Sequence, residues 1–403
     1  MALGYLQAFV ILLVLAYHSV LAYMVSSPSP SATLATRPYN WAALPIIDSQ
    51  RWLGFNLFTE FTAQFFMPLL FFISGLFVWP SLTRKGNSKF LRDRSLRLGL
   101  PFAIVVIFLI PLAYYPSYRI TGADPSFFAF WQQWISLDYW PSGPFWFLYL
   151  LLLFNFIVVI LRKFVSGWGD ALGKKFSWSL RRPLLFFCVL VAVSAIVYFP
   201  MLLGFGYHHW ASFGPFQVQT SRVLLYAIYF IAGLAVGAYG INQGLLARDG
   251  LLVRRWPVWF VAALLFYVFD IIAFGKFYAL PPSSTWQVLY GVAFILSCAA
   301  SGLFFLSLFL HFVNKRRKVF DSLHNNAYGM YLIHYVFVIW LQYALLDTMF
   351  AAIEKGAIVF VGALALSWSI TAAMRRIPAV DRVISPSGGR ARGAKLLYTL
   401  CQE

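Results

Sequence analysis

Ten stretches of this chain are each long and apolar enough to cross a lipid bilayer, and few sequence features limit a fold so tightly. A span needs about 20 apolar residues. The ten run over about 3–25, 54–80, 98–115, 143–162, 183–204, 220–239, 256–275, 286–312, 326–346 and 356–374. Inside lipid the backbone must satisfy its own hydrogen bonds, and continuous apolar runs of this length do so as helices. Charged residues are 11% of the 403, against about 25% in an ordinary soluble domain. The expectation is an all-α, polytopic membrane bundle of about ten transmembrane helices. It has one transmembrane domain over 1–376 and a basic cytoplasmic tail over 377–403.

The net charge of +18 would suggest nucleic acid in a soluble protein. Here the basic residues sit in short clusters between the apolar runs, where they orient the spans and meet anionic membrane lipids. No nucleic-acid partner is expected. Alternation along the ten spans puts 25 Lys and Arg on one face and 6 on the other, namely Arg37, Arg51, Arg119, Arg222, Lys276 and Lys355. That asymmetry places both termini in the cytoplasm. The first span lacks a basic flank of the kind that precedes a cleaved leader, so it is read as a retained helix. Cys188, Cys298 and Cys401 have no metal-ligand spacing, and no metal site is expected. Aromatic residues crowd the opposite loops, among them Tyr39, Trp41, Phe127–Trp134, Tyr139, Trp140 and Trp210. They read as an interfacial belt, with stacking on sugar rings as the alternative.

Few ionisable groups lie inside the spans, and an intramembrane ionisable residue is a functional-site hypothesis by default. Counted from Leu3, His18 comes about 22 Å up a core about 30 Å thick. Glu60 and Asp270 reach similar depth from their own span starts. A carboxylate beside an imidazole would fix its tautomer and stabilise its cation, as a general base requires. The competing role for His18 is a hydrogen bond to a nearby backbone carbonyl; for Glu60 and Asp270 it is a hydrated helix end. His334 lies mid-span in AYGMYLIHY, where a structural hydrogen bond and a place in the site compete. At the start of the third span, Arg94 and Arg97 share a helix face at i, i+3 and suit phosphate, which guanidinium groups grip bidentately. A plain basic flank explains Arg84, Lys85 and Lys89 as well. Ser74-Gly75 permits close helix contact. No GxSxG, Walker, HExxH or CxxC motif occurs.

Five stretches in order carry a family likeness: LQAFVILLVLAYH ending at His18, FFISGLF ending at Phe77, FLRDRSLRLGLP over 90–101, GPFWFL from Gly143, and AYGMYLIHY from Ala327. Over nearly the whole chain the sequence resembles the membrane acyltransferase 3 family, the multi-span O-acyltransferases of bacterial envelope glycans. Within it, the chain is similar to the type that succinylates periplasmic glucan, although no residue selects succinyl over acetyl. The resemblance implies an enzyme of the bacterial inner membrane that moves an acyl group from cytoplasmic acyl-coenzyme A to a saccharide hydroxyl. It implies His18 as catalytic residue and Arg94 and Arg97 as donor-binding. Glu60 joins His18 as a catalytic candidate, and Ser74, Trp146, Asp270, Tyr331 and His334 are candidate lining residues. Acyl-coenzyme A is a substrate, and no bound cofactor is implied. The family typically has Arg eleven residues before its first-helix His, and Gln7 stands there in this chain. Either Arg94 and Arg97 suffice for the donor, the donor differs, or the chain begins further upstream.

The rival class is a transporter, which ten spans and sparse intramembrane charges also suit. Carriers more often show two related halves with broken helices, and this sequence has no such symmetry. A non-catalytic membrane scaffold fits the composition and leaves His18 unexplained.

Overall fold

The computed structural model describes residues 1–27, 44–122, 124–137, 140–207, 209–279 and 284–385. Tyr39, Trp41, Tyr139, His208 and the tail from Pro386 lie outside the described residues. The long helices are α1 (Ala2–Val20), α2 (Leu53–Leu76), α3 (Asn87–Ile120), α4 (Trp146–Phe164), α5 (Pro183–Phe205), α6 (Val223–Tyr239), α7 (Trp256–Ala279), α8 (Ser284–Phe312), α9 (Lys318–Ala344) and α10 (Ala352–Met374). A short α11 (Pro378–Ile384) follows. The fold is an all-α polytopic bundle. Its one described sheet is a hairpin, β1 (Trp210–Phe213) with β2 (Phe216–Gln219), paired antiparallel with Phe213 opposite Phe216.

Nine of these helical segments are long and apolar enough to cross a membrane among the described residues. The expected span at 326–346 is present as part of α9, 27 residues long, but it falls short in hydropathy. The physical reason lies in what α9 does with its polar side chains. Prolines in α3 lack an N–H, so the carbonyl four residues earlier loses its helical partner. Pro101 vacates Arg97 O, which the Tyr328 hydroxyl takes. Pro116 vacates Leu112 O, which Trp340 Nε1 takes at 2.9 Å. The last carbonyls of α1 are also without helical partners. Gln342 Nε2 donates to His18 O at 2.9 Å and Ser19 O at 3.2 Å. A helix so supplied with donors cannot also be uniformly apolar.

Contacts divide the chain into two compact units whose borders fall within α1, α2 and α3. The first comprises Met1–Leu6, Glu60–Ser95 and Trp146–Lys315. In it α2 and α6 meet at glycine. A Cβ on Gly75 would run into Phe230 O, and one on Gly233 or Gly237 into Phe72 O or Leu76 O. Gly233 and Gly237 form a GxxxG pair, which lets backbones approach where lipid offers no hydrophobic drive. The second unit comprises Gln7–Thr59, Leu96–Phe145 and Arg316–Glu403. Along α3 run two π-helical turns, Ser95–Gly99 at the border of the units and Val105–Leu109 within the second. The loop before α2 is fastened by a buried ion pair, Lys355 Nζ to Asp48 Oδ2 at 2.7 Å, with side chains 0% and 1% exposed. Asp48 Oδ1 accepts from Gln50 N, and Lys355 also donates to Leu346 O.

Removing one partner of such a pair strands the other charge at a cost of about 3–5 kcal/mol. Lys355→Met alone should therefore lower the thermal unfolding midpoint markedly in detergent. Adding Asp48→Asn, which keeps the acceptor for Gln50 N, should restore most of the loss. An unchanged midpoint in Lys355→Met would refute the role of this pair.

Candidate active site

In the second unit His18 and His334 face each other across α1 and α9, ring centroids 5.4 Å apart and planes inclined by 60°. His18 Nδ1 lies 2.7 Å from Val14 O, one turn back on its own helix. His334 Nδ1 lies 2.7 Å from Tyr331 O. A carbonyl oxygen only accepts, so each Nδ1 must carry the hydrogen. The neutral imidazoles are thereby held in one tautomer with the Nε2 lone pair open. His334 Nε2 is buried and has no partner among the described residues. Rings close the surroundings: Tyr335 stands 5.4 Å from His18, Tyr17 5.2 Å, and Phe145 lies 6.3 Å from His334.

The GPFWFL stretch shapes this place through its first residues. Gly143 has φ +51°, and an added Cβ would stand 3.1 Å from Tyr335 Cε1 and 3.0 Å from Ile110 Cδ1. The Tyr331 hydroxyl donates to Pro144 O at 2.6 Å. Tyr331 thus serves twice, anchoring the turn with its side chain and His334 with its carbonyl.

Glu60 and Asp270 come together in the first unit, around an arginine that sequence reading had counted as an outer flank. Arg222 opens α6 and is only 6% exposed. It donates to Ala63 O at 3.2 Å and to the Tyr207 hydroxyl at 2.8 Å, and its guanidinium lies over Phe294 at 4.6 Å and Tyr207 at 5.0 Å. Glu60 and Asp270 both lie in its field. Asp270, 1% exposed, accepts from Gln64 Nε2, and Gln64 Oε1 accepts from Ser297 Oγ. Glu60 and Gln64 share a face of α2 at i, i+4. In the loop, burial pushes the Tyr207 phenol up in pKa against the pull of Arg222, so a neutral phenol oxygen receives the guanidinium. At His18 it is the Val14 carbonyl that meets Nδ1. Backbone carbonyls are silent in sequence. Arg222 left a trace, as one of few basic residues on the sparsely charged face.

Of the remaining candidates, Ser74 is half-buried beside the Gly75 contact, and Trp146 stacks on Tyr226 at 5.3 Å. Both belong to the first unit. Arg94 and Arg97 were expected on one helix face. The π-helical turn at Ser95–Gly99 changes the rotation between them, because a π turn holds more residues than an α turn. Arg94 lies over the Phe90 ring at 5.1 Å. Arg97 donates to Val383 O at 3.3 Å and to Ser385 O, at the end of α11. Asp381, in α11, binds Arg375 at 2.8 Å.

A family model described as an acyltransferase domain matches residues 2–372. The class is therefore that of membrane-embedded acyltransferases. The chain belongs to the acyltransferase 3 family. No curated protein and no solved structure matches it.

Gly143→Ala meets both a left-handed backbone position and the Tyr335 ring, whereas Gly122→Ala has φ +72° and open space around it. The backbone strain is worth about 1–3 kcal/mol at either site. Both variants should unfold at lower temperature. Only Gly143→Ala should also lose acyl transfer, by roughly tenfold or more, since its displaced ring touches His18. Equal activity in the two would detach Gly143 from the site.

Proposed function

We propose that the protein transfers an acyl group, acetyl or succinyl, from cytoplasmic acyl-coenzyme A to a hydroxyl of a periplasmic or cell-surface glycan, and that it resides in the bacterial inner membrane. The observation that carries this reading is the His18 imidazole, fixed at Nδ1 with Nε2 open, inside the span matched by the acyltransferase model. His18 Nε2 takes the proton of the acceptor hydroxyl. The oxygen bonds to the thioester carbonyl carbon, the carbon–sulfur bond breaks, and the proton passes from His18 to the departing thiolate. A lone pair within reach of the hydroxyl is what such a step asks of a general base.

Arg94 and Arg97 hold the donor phosphates in this reading. Phosphate, an anion, offers the Arg97 guanidinium a bidentate ionic partner in place of the neutral carbonyls it now meets. Basic residues concentrate on the face read as cytoplasmic, where coenzyme A is found. The 25-to-6 division of Lys and Arg supports that orientation.

Proteoliposomes given acyl-coenzyme A and envelope glycan provide the test. His18→Ala should abolish transfer and leave the unfolding midpoint unchanged; substantial residual activity would refute the assignment. Arg97→Ala should raise the apparent KM for acyl-coenzyme A by roughly tenfold or more, the loss of one charge-assisted hydrogen bond. Arg84→Ala is the control, and an equal effect there would reduce the donor site to a diffuse basic patch.

A further inference from the structure

The two imidazoles pose a problem that they cannot solve between themselves. Each carries its one hydrogen on Nδ1 and gives it to its own helix, at Val14 O and Tyr331 O. Each therefore presents only a lone pair at Nε2, and neither can donate to the other. A buried acceptor without a donor costs about 1–3 kcal/mol. His334 Nε2 is in that position, on a residue 1% exposed. Aromatic rings line the neighbourhood and bring no donor to that nitrogen. A ligand that meets both rings needs two hydrogens, one for each Nε2.

Water can supply two. So can one acceptor molecule with neighbouring hydroxyl groups. Hydrogen bonds from hydroxyl to nitrogen run to about 2.8 Å, so adjacent hydroxyls on one ring can bridge imidazoles whose centroids stand 5.4 Å apart. A single isolated hydroxyl given to His18 would leave the His334 lone pair buried and bare. Sites built to bond a substrate hydroxyl reject analogues that lack it for this reason.

We propose that His334 binds the acceptor: its Nε2 accepts a hydrogen bond from the hydroxyl next to the one that His18 deprotonates, and the acceptor class is a vicinal diol. This rests on the acyl-transfer reading of His18 given above. The anchoring contacts fit a positioning role. Gln342 ties the end of α1 to α9, Tyr331 ties α9 to the Gly143 turn, and both rings are tethered, so the spacing of the two acceptors is set before substrate arrives.

The full-length protein in proteoliposomes, with acyl-coenzyme A as donor, is offered an alkyl hexoside and its four monodeoxy analogues. Product analysis locates the acylated hydroxyl. The wild-type enzyme should show a second sensitive position next to it, with kcat/KM about tenfold lower when that hydroxyl is missing. His334→Phe keeps a ring and removes the acceptor. It should lose about tenfold on the parent hexoside and nothing further on the neighbour-deoxy analogue. His334→Gln keeps an acceptor oxygen and should stay within about threefold of wild type, whereas His18→Gln should be inactive. If the wild type has no second sensitive position, the diol proposal fails whatever the variants do. It fails equally if the neighbour-deoxy penalty persists in His334→Phe, or if His334→Gln is as poor as His334→Phe. If the wild type transfers acyl groups to none of these saccharides, the saccharide-acceptor reading falls and the diol falls with it.

Discussion

The hydrogen bond from a polar side chain to its own or a neighbouring helix's backbone is the interaction on which this structure turns. In an apolar bundle a polar group with no partner is costly, and carbonyl oxygens are the acceptors that helices offer. At His18 that bond sets the tautomer: the Val14 carbonyl draws the hydrogen to Nδ1 and leaves a lone pair at Nε2. A carboxylate partner would have served the same purpose while adding a buried charge. The carbonyl fixes the tautomer without one. The same economy runs along α9, where Tyr328, Trp340 and Gln342 supply hydrogens to carbonyls left by two prolines and a helix end.

The first unit answers the same constraint with charge. Arg222 lies in a box of aromatic rings, and its field reaches Glu60 and Asp270. Two carboxylates drawn together would repel, and a nearby guanidinium offsets that repulsion. Gln64 extends the arrangement by donating to Asp270 and accepting from Ser297. Planar, delocalised and weakly hydrated, arginine is suited to this setting in a way lysine is not. The second unit combines neutral tethers with one buried ion pair, Lys355–Asp48, and the first gathers its buried polar groups around Arg222.

How much of this was legible follows from what each feature depends on. Apolar runs of about twenty residues report helices directly, so the bundle could be read from hydropathy. The α9 helix could be placed, but its deficit in hydropathy makes sense only beside the carbonyls that it serves. His18 and His334 stood out because imidazole is rare in such surroundings; their facing each other depends on packing between helices far apart in sequence. Glu60, Asp270 and His18 were grouped by depth, which reports position along a helix and not which side chains face one another. Arg222 was absorbed into a count of flanking charges, although Arg51 and Lys355 from the same sparse group also bond within the protein, at Ser27 O and Asp48. The close approach of α2 and α6 had a sequence mark on both sides, Gly75 and the Gly233–Gly237 pair.

The C-terminal helix raises a different kind of question, because the acyltransferase match ends at residue 372 and α11 begins at Pro378. It nevertheless contacts the matched domain at Arg97. Asp381 holds α11 to Arg375, and the carbonyls at its end occupy the Arg97 guanidinium. Neutral carbonyls satisfy an arginine less firmly than phosphate does, so under the proposed function a donor docking there would gain by displacing them. The backbone need not move for that exchange. Tyr328 already occupies the Arg97 carbonyl that Pro101 left open, which pins the turn while the side chain changes partners. An arginine held in readiness by weak acceptors loses less freedom on binding than one that starts in water. On this view α11 orders Arg97 in advance of the donor, and Gln7, where the family pattern carries a cation, is less of a deficit than sequence comparison alone makes it.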